Sequence, residues 1–150
     1  MRINEIQELQ TAHYDLLLSA DPDKSLIEEY VKRGLCFEAI FSETIVGILV
    51  LLPTRPETLE IVNIAVSEKL QKKGFGEKLI QFALAHAKNN RYKTVEIGTG
   101  STSFGQLYLY QKCGFRMTNI DRDFFLRHYE KEIIENKLVL KDMVRLSIDV

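Results

Sequence analysis

One stretch of the chain, residues 59–76, constrains the fold more than any other. Its first part, up to Val66, is apolar enough for a buried strand, and a polar turn and two glycines, Gly74 and Gly76, follow it. This order indicates a strand that leads through a glycine loop into a helix. A helix start offers free N–H groups and partial positive charge, and glycine lets the backbone approach an anion closely. The stretch therefore predicts a phosphate or pyrophosphate site.

Length and charge limit the classes of protein that the chain can belong to. Its 150 residues fit one domain, residues 1–150, and its formal net charge is −1. A nearly neutral chain argues against a nucleic-acid partner, so a bound anion has to be held locally. The start of the chain has no signal-peptide pattern, and the longest apolar run, residues 45–52, is only strand-sized. These features predict a cytoplasmic protein without a membrane partner.

The pattern of apolar residues predicts an alternating order of helices and strands. In the first half it indicates helices over residues 13–20 and 25–33, then strands over 35–41, 45–52 and 58–66 in an antiparallel arrangement. In the second half it indicates a helix over 76–89, a strand over 94–98, a helix over 103–112 and strands over 115–120 and 137–148. The strand–loop–helix–strand order makes strands 58–66 and 94–98 parallel neighbours. Residues 121–136 fit either a helix or an irregular flap.

The glycine pair alone is a weak signal, because it also fits a tight turn into a helix. A dinucleotide fingerprint would need a third glycine where the chain has Leu79, and an acidic residue after the next strand where it has Thr99. The Gly-Lys-Ser/Thr of a P-loop is also missing. A nucleotide-binding domain is therefore the less favoured interpretation of this loop.

Two segments together resemble the signatures of the GNAT N-acetyltransferase superfamily. Residues 71–76, Gln-Lys-Lys-Gly-Phe-Gly, are similar to the Gln/Arg-x-x-Gly-x-Gly/Ala signature of that family. Residues 109–115, Leu-Tyr-Gln-Lys-Cys-Gly-Phe, resemble its second signature, Leu/Phe-Tyr-Glu-Lys-x-Gly-Phe. Two signatures in the right order, each on the expected element, are far more specific than either alone. The resemblance covers most of the chain and is weakest over residues 1–34 and 121–136.

The resemblance implies an α/β fold: a twisted, mostly antiparallel mixed sheet with a splayed pair of parallel strands and helices on both faces. It also implies that acetyl-CoA binds between the splayed strands as a co-substrate. Unpaired backbone groups there can bind the pantetheine arm like an added strand, and Asn63 is a candidate for the bulge that starts the splay. In many relatives an asparagine before the second helix contacts the arm, and here a serine is the candidate. The implied cofactor-binding residues are Ile64, Ala65, Val66, Gln71, Lys72, Lys73, Gly74, Phe75, Gly76 and Ser103.

Tyr110 is the strongest catalytic candidate that the resemblance gives. In similar enzymes this tyrosine lies near the sulfur of CoA and protonates the departing thiolate. A phenol has a pKa of about 10, so it is protonated at neutral pH and can donate. The alternative is a tyrosine that only packs its helix against the sheet. Tyr108 lies two residues away and faces a different side of the helix.

Glu60 is the candidate general base. It is a carboxylate inside an otherwise apolar strand, and burial there would raise its pKa toward neutrality. A glutamate on the solvent side of the strand is an equally good interpretation. Similar enzymes also pass the proton of the amine through ordered water, so the base is either Glu60 or a water.

These features together predict an N-acetyltransferase that acts on the primary amine of a small molecule, by direct attack in a ternary complex. Two alternatives are a non-catalytic acyl-CoA-binding regulatory module and an acetyltransferase of protein N-termini or lysines. No metal is expected, because His128 has no second histidine or cysteine at ligand spacing. The lack of overall acidic charge weakens the case for a polycationic acceptor. A homodimer is left open, since the apolar C-terminal strand could pair with another subunit.

Overall fold

The chain folds around a seven-stranded sheet. The computed structural model describes residues 1–150. A one-turn 3-10 helix, Glu68–Leu70, begins the connection between the fourth strand and the third α-helix. In chain order the strands and α-helices are β1 (Arg2–Ile6), α1 (Thr11–Ala20), α2 (Lys24–Arg33), β2 (Leu35–Phe41), β3 (Thr44–Arg55), β4 (Thr58–Val66), α3 (Phe75–Asn89), β5 (Thr94–Gly100), α4 (Phe104–Lys112), β6 (Arg116–Asp121), α5 (Phe124–His128), β7 (Ile134–Glu135), β8 (Leu138–Val139) and β9 (Met143–Asp149).

The sheet is mixed and mostly antiparallel, which confirms the predicted fold class. Its strand order is β1-β2-β3-β4-β5-β9-β6, and every neighbouring pair is antiparallel except β4 and β5. The crossover through α3 makes that one pair parallel. The short strands β7 and β8 form a separate hairpin.

Helices cover both faces of the sheet because the strand side chains alternate between two apolar clusters. On β3, Leu49 and Leu51 face the cluster that contains α3, while Ile48 and Val50 face the cluster that contains α1 and α2. The buried residues of α3 recur at helical spacing, as the sequence predicts, and so bring its apolar side onto the sheet. They are Phe75, Leu79, Ile80, Ala83 and Ala87.

Strands β4 and β5 part halfway along their length. They pair only from Thr58–Thr94 to Ile61–Ile97. Beyond that point β4 stays with β3, and β5 stays with β9. On the β3 side the register shifts, because Val50 pairs with Asn63 and Leu51 with Ile61. Val62 is therefore the extra residue of a β-bulge, next to the predicted position, and the strands separate at this bulge.

The two ends of the chain differ from the sequence-based expectations. Strand β1 was not predicted. The strand expected over residues 137–148 is instead two strands, β8 and β9, and residues 121–136 form the short helix α5 and then β7. Strand β9 lies between β5 and β6, so both of its edges are already paired. The expectation that the C-terminal strand is free to pair with a second subunit is therefore wrong, since the free edges of the sheet belong to β1 and β6.

We expect Leu79→Ala to lower the free energy of unfolding by about 2–5 kcal/mol, because Leu79 on α3 is fully buried and its loss leaves a cavity. Chemical denaturation measures this change. Leu126→Ala in α5 is the matched control, since Leu126 is 49% exposed, and it should change stability by less than about 0.5 kcal/mol. Equal losses in the two variants would contradict the assignment of the core.

Candidate active site

The loop before α3 carries a run of unpaired backbone N–H groups. The amides of residues 72–77 donate no hydrogen bond within the chain, and the first bond of the helix runs from Lys78 N–H to Gly74 O, at 3.1 Å. Lys72 and Gly74 both have left-handed backbone conformations, with φ of 61° and 89°. Such a turn directs successive N–H groups to one side. Free donors of this kind at the start of a helix suit an anion.

Side chains around the loop hold it in place and add charge. Gln71 Nε2 donates to Val66 O at 3.1 Å, which fastens the loop to the end of β4. Neither Lys72 nor Lys73 has an ion-pair partner. Their charges are therefore available to an anion at the loop.

The end of β4 offers further backbone groups on the side that β5 leaves open. Ser67 N–H donates to Val46 O at 2.8 Å. In an antiparallel pair, every second residue directs its N–H and C=O groups toward the partner strand. Because Ser67 bonds to β3, the N–H and C=O groups of Ile64 and Val66 point the other way, into the gap between β4 and β5. The carbonyl of Val66 accepts the hydrogen bond from Gln71, so the N–H of Val66 and the N–H and C=O of Ile64 are available to a ligand.

A cavity of about 590 Å³, which we call the loop cavity, lies between the glycine loop, the end of β4 and α4. Lys73 and Phe75 do not line it, and Phe75 instead packs in the core, with its ring centroid 5.1 Å from that of Phe41. Seven of the predicted cofactor-binding residues line the loop cavity: Ile64, Ala65, Val66, Gln71, Lys72, Gly74 and Gly76.

A second cavity of about 400 Å³, which we call the sheet cavity, lies between the parted ends of β4 and β5. The segment that follows β6 contributes to its wall through Phe125, Tyr129 and Glu135. The two cavities meet, because five residues line both of them: Ser19, Ala20, Ile64, Gln106 and Tyr110.

Tyr110 is buried where the two cavities meet. Its side chain is only 5% exposed, and burial raises the pKa of its hydroxyl well above the ordinary value for tyrosine. The phenol therefore stays protonated at neutral pH and can donate a proton. Tyr108 is 68% exposed and lines only the loop cavity.

Glu60 lies on β4 in the region where β4 and β5 are still paired, opposite Glu96 of β5. Burial raises the pKa of Glu60, the nearby Arg145 lowers it in part, and the negative charge of Glu96 raises it again. Arg55 forms an ion pair with Glu96 and is a weaker influence. Glu60 lines neither cavity. The structure therefore does not bring this carboxylate together with Tyr110.

Ser103 lies at the start of α4, where it lines the sheet cavity rather than the loop cavity. Its hydroxyl donates to the carboxylate of Glu135, and so does the hydroxyl of Thr102, at 3.2 Å. Asn136 Nδ2 donates to Thr102 O at 2.8 Å. These bonds fasten the β7–β8 hairpin to the loop that precedes α4. Sequence reasoning missed Glu135, because its partners lie about thirty residues earlier in the chain.

A second hydrogen-bond network centres on Asp21, which sequence reasoning also missed. The Asp21 carboxylate accepts from the hydroxyls of Tyr30, at 3.1 Å, and Tyr129, at 2.9 Å. Burial raises the pKa of both phenols well above the ordinary value. The Tyr30 hydroxyl also accepts from Asn63 Nδ2 at 2.8 Å. The network thus joins the turn between α1 and α2 to the β4 bulge and to the segment after α5.

Parted strands beside a helix start with free N–H groups are the features of a protein class suited to an extended, amide-bearing ligand with an anionic group. The chain belongs to the Acetyltransferase (GNAT) family, whose family model matches residues 3–115. It is therefore an acetyl-CoA-dependent N-acetyltransferase of that family.

Individual relatives agree with this family over nearly the whole chain. The N-acetyltransferase YvbK of Bacillus subtilis (strain 168) is 54% identical over 99% of this chain and 96% of its own length. A crystal structure of a Bacillus subtilis acetyltransferase in complex with CoA has a TM-score of 0.96 at 54% identity, covering 99% of this chain and 98% of the other. A GNAT family acetyltransferase from Elizabethkingia anophelis with acetyl-CoA bound has a TM-score of 0.96 at 44% identity, covering 99% and 97%.

None of the helices combines the length and the apolar character needed to cross a bilayer. Nowhere do three or more His, Cys, Asp or Glu side chains come together in a way that could hold a metal ion.

The raised pKa of Glu60 predicts how stability depends on pH. The folded chain holds this proton more tightly than the unfolded chain does, so the free energy of unfolding falls as pH rises from about 4 through the raised pKa. We expect Glu60→Gln to lack this part of the pH-dependent loss of stability. The free energy of unfolding of the variant, relative to that of the wild type, should therefore be higher at pH 7 than at pH 4. Urea denaturation across this range measures it, with Glu57→Gln at an exposed position as the control. Identical pH profiles for wild type and Glu60→Gln would contradict the prediction.

Proposed function

We propose that the enzyme transfers the acetyl group of acetyl-CoA to the primary amine of a small molecule, by direct attack in a ternary complex. The observation that carries this proposal is the position of Tyr110 where the two cavities meet. With CoA in the loop cavity and the acceptor in the sheet cavity, the thioester and the amine come together beside this phenol.

The loop cavity suits the pyrophosphate and pantetheine parts of CoA. The unpaired amides of residues 72–77 supply donors to the pyrophosphate, and Lys72 and Lys73 supply positive charge. The free backbone groups of Ile64 and Val66 match the amides of an extended arm. A Cβ atom added to Gly74 or to Gly105 would meet no atom within 4 Å, so the backbone at both positions borders open space.

The reaction then follows from the positions of these groups. The lone pair of the amine nitrogen attacks the carbonyl carbon of the thioester. The N–H of Val66 then stabilises the new oxyanion by donating a hydrogen bond to it. Collapse of the intermediate breaks the C–S bond, and Tyr110 gives its proton to the departing thiolate. The proton that the nitrogen loses passes to solvent, and the phenolate takes one back. In sum, amine and acetyl-CoA become amide and CoA.

An ammonium nitrogen has no lone pair, so in this scheme the acceptor first loses a proton to ordered water and then attacks as the neutral amine. Glu60 lines neither cavity, so it serves as the base only as the end of a water chain. In that role Glu60→Gln would lower kcat above the raised pKa of Glu60, where the wild-type carboxylate is ionised and can accept the proton, and would change kcat little below it. If the pH profile of kcat is unchanged in this variant, water alone carries the proton.

The sheet cavity supports a small acceptor over a protein chain. Its volume of about 400 Å³ lies within the range of small-molecule sites, and residues after α5 form part of its wall. The non-catalytic alternative needs the loop cavity but gives no reason for a buried tyrosine at its junction with a second cavity. A single domain over residues 1–150, a cytoplasmic location and a homodimer stay predictions.

We expect Tyr110→Phe to lower kcat about a hundredfold or more, because the thiolate then leaves without its proton donor. Affinity for acetyl-CoA should remain close to that of the wild type. Release of CoA from acetyl-CoA across a panel of amines measures the rate, and calorimetry measures the affinity. Since the pKa of Tyr110 is raised, its ionisation should cause no loss of activity below about pH 10.

The matched control is Tyr108→Phe, which removes an exposed hydroxyl from the same helix and should leave kcat unchanged. Full activity in Tyr110→Phe would contradict the assignment of Tyr110 as the general acid. Tight binding of acetyl-CoA without CoA release for any amine would favour the non-catalytic module.

We expect Gly74→Ala to weaken acetyl-CoA binding about tenfold. Gly74 has φ of 89°, where a side chain costs about 1–2 kcal/mol, so the loop will rotate its N–H groups away from the pyrophosphate. Calorimetry with acetyl-CoA measures the loss. Acetyl-pantetheine, which lacks the pyrophosphate, is the control ligand and should bind wild type and variant equally. Unchanged acetyl-CoA affinity in Gly74→Ala would show that this loop does not hold the pyrophosphate.

A further inference from the structure

The sheet cavity is acidic, although the chain as a whole is nearly neutral. Its lining includes two carboxylates, Asp21 and Glu135, and no lysine, arginine or histidine. Neither carboxylate has an ion-pair partner in the structure. Two negative charges therefore face this cavity without a compensating cation from the chain.

Asp21 is held only by neutral donors. Its carboxylate accepts from the Tyr30 and Tyr129 hydroxyls and, at 3.0 Å, from the N–H of Asp23. These bonds fix the orientation of the carboxylate but leave its full charge in place. A carboxylate without an ion-pair partner beside a cavity favours a ligand of opposite charge.

Asn63 supplies an independent observation in the same cavity. It is 4% exposed, and its Nδ2 donates to Leu17 O at 3.1 Å and to the Tyr30 hydroxyl. Its Oδ1 has no hydrogen-bond partner, although buried polar atoms in folded proteins nearly always have one. Asn63 and Asp21 both line the sheet cavity, and each is hydrogen-bonded to the Tyr30 hydroxyl. An ammonium group carries three donors and can bond to both.

The second carboxylate lies on the opposite side of the parted strands. Asp21 is linked to β4 through Tyr30 and Asn63, whereas Glu135 is fastened to Ser103, just after β5. The cavity between them opens at Tyr110 toward the loop cavity. An occupant that reaches Tyr110 is thus exposed to negative charge on both walls.

We propose that the acceptor is an amine that carries a second cationic group, which Asp21 and Asn63 Oδ1 bind while the reacting amine lies at Tyr110. This inference rests on the proposed function and adds the substrate class to it. The local charge of the cavity, and not the net charge of the chain, selects such an acceptor.

Three amines of similar length test the proposal: 1,5-diaminopentane, hexylamine and 6-aminohexanoate. At the end opposite the reacting amine, these compounds carry an ammonium group, a methyl group and a carboxylate, respectively. We expect kcat/KM for the diamine to exceed that for hexylamine about tenfold or more, with 6-aminohexanoate the poorest, because a hydrogen-bonded charge pair is worth that factor. The assay is release of CoA from acetyl-CoA.

Asp21→Asn tests whether Asp21 binds the second cationic group of the acceptor. It keeps the size of the side chain and removes its charge, so kcat/KM for the diamine should fall about tenfold or more, mainly through KM, while hexylamine is unaffected. Asp15→Asn on the exposed side of α1 is the control and should change neither. A merely structural role for Asp21 would lower both rates together, and that result, or equal use of diamine and hexylamine by the wild type, would overturn the inference.

A binding measurement separates this inference from the proposed function. Calorimetry follows binding of 1,5-diaminopentane to the complex of the chain with CoA, in wild type and in Asp21→Asn. Binding that Asp21→Asn abolishes, without acetylation of any amine, would support the cation site and overturn the proposed function. If the wild type neither binds nor acetylates the diamine, the inference is overturned.

Discussion

The separation of β4 from β5 is the constraint on which the rest of the structure depends. A sheet normally pairs its backbone groups from edge to edge, but here the bulge at Val62 ends the pairing after Ile61 and Ile97. The groups that lose their strand partner face a gap, and both cavities lie along it. Because the remaining strands stay paired on their other sides, the gap is held open by the sheet itself. A thioester arm can then complete the ladder without any rearrangement of the fold.

The two sides of this gap have opposite electrostatic character. On the loop side the donors are backbone amides and the unpaired Lys72 and Lys73, which suit a pyrophosphate. On the other side the charges are those of Asp21 and Glu135. A net charge of −1 conceals this arrangement because it averages over the whole chain. Tyr110 lies between the two regions, where burial keeps its proton in place.

The sequence predicts the features that depend on neighbouring residues. The buried β4, the glycine loop, α3 and the parallel crossover follow from local spacing, and the two signatures point to Tyr110. The sequence does not predict contacts between distant residues: Tyr129 bonds to Asp21 from 108 positions away, and Ser103 is turned toward Glu135. It likewise gives no measure of how far along β4 the strands part, which is what leaves Glu60 outside both cavities. Strands β1, β7 and β8 are short or polar, so their periodicity is too weak to read.

Two connecting segments outside the main sheet complete the wall of the sheet cavity beside β4 and β5. Asp21 lies in the turn between α1 and α2, and Tyr129 and Glu135 lie between β6 and β8. The loop cavity, by contrast, is built mainly from β4, α3 and α4. With the two substrates divided between the cavities as we propose, changes in the two connecting segments would alter the choice of acceptor and leave the residues around the acetyl donor unchanged.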